Sequence, residues 1–232
     1  MPHRESILNA ARAAGISTAL AVSGLLLLLA WSWQLAPIGD QYATAWAGVT
    51  VVSIICGFAA LGWMRPARIG MTAPQVMLLL GAIGMVGGLW LDARDGSFSV
   101  LASLCLADNG DLFRTLGIHW QQLPAMHLGM TAGGLATVPL MRSLRRHCRR
   151  QFCARLVQNL ACSAWMIVGM SAGTIAFMQL AAWSGGRGPA AMLGGMFSGM
   201  VWGMVASVAM YRFWFWLKQP RDQQFRGGRG LD

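Results

Sequence analysis

Charge is what this chain has least of. Only 11% of its 232 residues are charged, and eight acids stand against 18 Lys and Arg. A soluble domain carries about a quarter of its residues as Asp, Glu, Lys and Arg, so a water-facing surface of ordinary composition is excluded, and 56% of the residues are hydrophobic. The basic excess does not make a nucleic-acid surface, because the arginines fall in short segments between long apolar runs. Those runs lack the apolar–polar alternation of a β-barrel. A phosphate-binding glycine loop and a nucleotide motif are missing too. So are the paired intramembrane histidines of a b-type haem: His127 is the single histidine in any apolar run.

What is there is helix-forming and lipid-compatible. A helix needs roughly 20 apolar residues to span ~30 Å of hydrocarbon, and lipid offers no partners to unpaired backbone groups. Six runs qualify, at about 16–38, 44–64, 73–93, 124–144, 156–183 and 189–215. The sequence therefore predicts an all-α, polytopic helical bundle of six transmembrane helices, forming a single domain over residues 1–232. With the N-terminus inside, fifteen of the 18 basic residues lie on the cytoplasmic side and only Arg94, Arg114 and Arg187 lie outside, which is the positive-inside pattern. Trp31, Trp33, Trp46, Trp90, Trp120 and Trp183 then mark the outer interface, and Trp63, Trp214 and Trp216 the inner one. Both termini are expected in the cytoplasm, in a bacterial inner membrane, with the basic inner face held against anionic lipid. The first run exceeds a 7–15-residue signal-peptide core, so it reads as an uncleaved helix.

Residues 4–15 read as a short amphipathic helix on the inner face, 65–72 as a tight basic turn and 219–232 as a disordered basic tail. The one long loop, 94–123, holds two interfacial pieces, SFSVLASLCL and LFRTLGIHWQQL, on either side of DNGD. Loops of that length tend to be functional.

Runs three to six share a signature. Met-x-x-Gly-Met occurs at 126–130, 166–170, 192–196 and 200–204, and run three carries the partial version AIGM, ending at Met85. Glycines pair at helical spacing: Gly84/Gly88, Gly129/Gly133, Gly169/Gly173 and Gly195/Gly199/Gly203. Small residues four apart let two backbones approach where packing drives association. Residues four apart also lie about 40° apart, so Met192, Met196, Met200 and Met204 form a stripe about 18 Å long, rotated about 100° from the glycine stripe. Glycines that seat a neighbour would leave the thioethers flanking the seam. The repeat predicts a four-helix working core with runs one and two as its flank.

Methionine is first a flexible apolar filler. Its thioether is also a soft ligand that suits Cu(I) without having to be deprotonated. Met126, His127 and Met130 share an arc of about 100° at the outer end of run four, with His119 just before it. An ionisable group in a membrane span is a functional candidate. On the inner side His147, Cys148 and Cys153 lie among six arginines, which lower thiol pKa and also anchor the loop to anionic headgroups. The expected path runs from capture at His119, Met126, His127 and Met130, along Met166, Met170, Met196, Met200 and Met204, to delivery at Cys148 and Cys153. Copper would be the cargo. Locally this resembles the trimeric copper-uptake transporters, which also combine a membrane MxxxM, a GxxxG helix contact and cytoplasmic His/Cys ligands. It departs from them in having six runs rather than three spans and no methionine-rich outer tail.

Other chemistries find less support. GMFSGM places Ser198 as a nucleophile for an intramembrane hydrolase with His127 as base, but the expected histidine of a following span has no span to occupy. Aspartyl peptidase chemistry needs two acids facing each other in the membrane, whereas Asp92 and Asp95 share one helix end beside Arg94, which can neutralise them. Cys105 alone lies outside, so no intramolecular outer disulfide is expected. The expectation is a non-enzyme. The rival to metal handling is a non-catalytic structural or assembly subunit of a larger membrane complex, or a homo-oligomer, docking through the 94–123 loop and the basic inner loop.

Overall fold

The structure is a computed structural model and describes residues 18–32, 42–64, 72–94, 112–144, 152–184 and 188–218. The regular elements among these residues are α-helices: α1 (Thr18–Ser32), α2 (Ala43–Met64), α3 (Ala73–Arg94), α4 (Leu112–Gln122), α5 (Pro124–Leu144), α6 (Phe152–Trp183) and α7 (Pro189–Lys218). The expected amphipathic 4–15 helix, the SFSVLASLCL piece, the tail from 219, His147 and Cys148 lie outside the described residues.

Among the described residues, four helices are long and apolar enough to cross a membrane: α2, α3, Val157–Trp183 of α6 and Pro189–Trp214 of α7. α1 is apolar but shorter. α5 has the length, at 21 residues, but His127, Thr131, Thr137, Pro139 and three glycines dilute its apolar character.

Helix starts follow from local chemistry. At α3 a reciprocal capping box closes: the Thr72 amide donates to Gln75 Oε1 at 2.9 Å and the Gln75 amide donates to Thr72 Oγ1 at 3.4 Å, satisfying two orphan donors at once. α5 opens on Pro124, a residue pre-set for the first helical position. The residue before it, Leu123, has no side-chain oxygen to cap the turn. Asp92 of α3 supplies it from outside: its two carboxylate oxygens accept the Ala125 and Met126 amides at 3.2 and 2.8 Å.

The glycine repeats pair the helices in twos. α3 and α5 run antiparallel, with Gly84 against Gly129, Gly88 against Ala125 and Gly133 against Leu80; a Cβ on any of these glycines would strike the facing carbonyl. α6 and α7 do the same, with Gly169 against Gly199 and Gly203, Gly173 against Gly195 and Gly199, and Gly203 against Trp165. These two pairs are the most extensive helix contacts among the described residues. α7 is the hub, with 89% of its spanning window buried.

α2 packs parallel to α7 on another face, where Thr50 meets Gly194, Gly57 meets Val201, and Trp202 Nε1 donates to Ser53 Oγ at 3.1 Å. α1 lies parallel to α3, with Gly24 at Leu79 and Gln75 Nε2 donating to Thr18 Oγ1 at 3.1 Å. One tryptophan departs from the interface reading. Trp46 is only 5% exposed because it tilts against Phe177 of α6, ring centroids 5.6 Å apart. Trp31, Trp63, Trp90, Trp120, Trp183, Trp214 and Trp216 are exposed.

Candidate functional site

The site begins with the helix start just described. Pinning the first turn of α5 to Asp92 fixes the direction of the next side chain, His127, which is fully buried. Its Nδ1 lies 2.8 Å from the Leu123 carbonyl oxygen. A carbonyl only accepts, so Nδ1 carries the hydrogen. Nε2 then holds the ring's free lone pair, and it has no hydrogen-bond partner among the described residues. The Trp120 ring of α4 tilts against the imidazole at 5.2 Å between centroids and covers it. Met126 and Met130, on either side of His127 along α5, are both fully buried. A nitrogen donor fixed by a backbone carbonyl through its other ring nitrogen is the arrangement that orients histidine ligands in metal centres.

Asp92 is held by the backbone of another helix. Asp92 caps α5, and Arg94 lies over the Trp90 ring with its guanidinium carbon 3.5 Å from the centroid. Among the described residues, two amides at a helix N-terminus thus balance the Asp92 carboxylate.

Further along α5, three helices meet. A Cβ placed on Gly81 of α3 would lie 3.5 Å from Met166 Cε and 3.8 Å from Met130 Cγ; one on Gly134 of α5 would lie 2.8 Å from Ser163 Oγ, 3.2 Å from Met77 Cε and 3.8 Å from Met166 Cε. Met130 and Met166 are thus brought to one junction, together with Met77. The sequence pattern did not single out Met77, because run three breaks the repeat: GAIGM (81–85) has glycine where the other copies have their first methionine. That glycine is the space Met166 fills. Ser163 is buried there with its hydroxyl unpartnered among the described residues, as is that of the buried Thr137 further along α5. Thr131, Ser171 and Thr174 spend theirs on the preceding turn of their own helices, the usual fate of a hydroxyl in mid-helix.

Met196, Met200 and Met204 are fully buried, as is Met170. On α7 the glycine face meets α6 and the Val201 face meets α2. Helical rotation then places the methionine stripe between those two faces, about 100° from each. The backbone of His119 lies in α4 and that of Cys153 in α6, but their side chains fall outside the described residues. Among the described residues no three His, Cys, Asp or Glu side chains group together. An apolar cleft of about 360 Å³ at the Trp183 end of α6, lined by Tyr42, Trp46, Val49, Leu180 and Trp183, contains no sulfur.

Comparison of the chain with models of known protein families, with curated proteins and with solved structures gives no match.

Proposed function

We propose that this chain is a six-pass protein of a bacterial inner membrane, with both ends cytoplasmic, that binds and passes on a soft transition-metal ion, Cu(I) being the best chemical fit. The buried Nε2 of His127, its lone pair left free by the Nδ1 bond, carries the reading, and the buried Met126 and Met130 lie next to it and three residues on along the same helix. One imidazole and two thioethers form a neutral, soft donor set that prefers Cu(I) to hard cations and can take up and release the ion without moving a proton. The topology draws support from the helix directions, since α3 and α5 are antiparallel, as are α6 and α7, and from the arginines. Capture would occur at the His127 end, assisted by His119. Transfer would run along the buried methionines to Cys148 and Cys153.

The test is bound copper in the purified full-length protein, measured by mass spectrometry after loading under reducing conditions. Leucine keeps methionine's volume and costs little packing. Changing Met126 and Met130 to Leu together with His127→Ala is expected to cut bound copper by more than half while the protein still elutes as a single folded species. Unchanged copper content would sink the proposal.

The second reading, a non-catalytic complex subunit, is favoured by the end of α7, where Phe213, Trp214 and Trp216 are all exposed and Phe213 stacks on Trp216 at 6.2 Å. Stoichiometric co-purification of a membrane partner with metal-free protein would support it.

A further inference from the structure

The His127 site uses the imidazole with Met126 and Met130, but the junction of α3, α5 and α6 has features that this site does not absorb. Met77, Met130 and Met166 arrive there from three different helices, each at most 2% exposed. Two glycines lie at the junction: Gly81 in contact with Met166 and Met130, and Gly134, where a Cβ would crowd Ser163 Oγ and the tip of Met77. Ordinary packing would fill such a place with branched aliphatic residues whose rotamers are well defined. Unbranched thioethers with three rotatable bonds can instead turn their sulfur toward a common centre.

A second observation is independent of the methionines. Ser163 Oγ points at the same spot, 2.8 Å from where a Gly134 Cβ would lie. Its residue is 2% exposed, and the hydroxyl has no hydrogen-bond partner among the described residues. It does not bond back to its own helix as Ser171 and Thr174 do. A buried hydroxyl left unpaired is costly, and such groups in native proteins call for a polar occupant.

We propose that Met77, Met130 and Met166 form a second soft-cation site, in the interior of the bundle, that takes Cu(I) or Ag(I) on three thioethers with the Ser163 hydroxyl beside it. The choice of cation rests on the soft-metal reading of the His127 site. Three neutral sulfurs are a set that hard divalent ions reject, so the site selects its ion by softness alone. Met130 belongs to both sites: it lies three residues beyond His127 on α5 and reaches Gly81. It is the hand-over ligand, standing between His127 and the junction at Gly134, two helical turns or ~10 Å further along α5.

Full-length protein carrying ¹³C-methyl methionine, titrated with silver nitrate in detergent, tests this directly. Met126 reports the His127 site alone, whereas Met77 and Met166 report the junction alone. The expected result is that the Met77 and Met166 methyl resonances shift together and saturate at a common equivalent, and that they still do so in His127→Ala. A Met126 shift with Met77 and Met166 unmoved would overturn the second site and leave the proposed function standing. If no methionine methyl responds, both fall.

Met77→Leu gives a second measure. With the melting temperature of the metal-free protein as the control for folding, it is expected to weaken silver binding at Met166 at least tenfold. Unchanged affinity at Met166 would overturn the site.

Discussion

Replacing Asp92 by Ala removes the acceptors for the Ala125 and Met126 amides and leaves the first turn of α5 uncapped in a buried place. Hydrogen bonds to a charged acceptor are worth about 1.5–3 kcal/mol each, so Asp92→Ala should lower stability by at least that amount in a detergent-denaturation series. Asp92→Asn, which keeps one oxygen acceptor, should lose less. Equal midpoints for all three proteins would show that the cap carries no stability. At this scale the sequence was legible for His127, whose solitary place in an apolar run marks it, and for its methionine neighbours. Asp92 as a cap was not legible, because its partners lie 33 and 34 residues away and nothing local marks a carboxylate as serving another helix. The junction site was half visible. Gly81 in place of the first methionine of the repeat is a signal, but a missing side chain acquires meaning only once Met166 is seen to fill its space.

The glycines state the case for the elements. Gly84 and Gly199 face partner carbonyls so closely that an added Cβ must push the helices apart, whereas a Cβ added at Gly87 of α3 would meet nothing within 4 Å. Overpacking costs about 1–3 kcal/mol, and Gly to Ala in an open helical position gains roughly 0.5–1 kcal/mol. Gly84→Ala and Gly199→Ala should therefore destabilise and Gly87→Ala should stabilise, read as midpoints of unfolding. A uniform response would mean the glycines act through helix propensity and not through the seams. Element positions were readable because apolar runs with Pro and Thr at their starts leave few alternatives. Which seams the glycines would make was not: a four-residue spacing names a face but not the helix it meets, and α3–α5 and α6–α7 emerge only from the packing.

On the scale of the whole molecule, two glycine-seamed antiparallel pairs meet chiefly where α5 packs on α6, with α1 on α3 and α2 on the buried α7. The sequence separated runs one and two from the rest by their lack of the repeat. It did not show that α2 seats directly on the hub, because that contact uses Thr50, Ser53 and Gly57, residues of three types that stand outside the glycine–methionine signature. If six helices cross with both ends inside, alkaline phosphatase, which is active only outside the cytoplasm, should be active when fused after residue 108 and inactive when fused after residue 232. The reverse result would invert the topology and move the His127 end to the cytoplasm.

The Asp92 cap also has a meaning in time. At about 5–20 residues per second of synthesis, Asp92 is added to the chain roughly 2 to 7 s before the Met126 amide that will donate to it is made. Until then α3 carries an unanswered charge at its end, a reason for it to wait beside the insertion machinery until α5 arrives. The end of α3 and the start of α5 are thus completed together, by a single side chain.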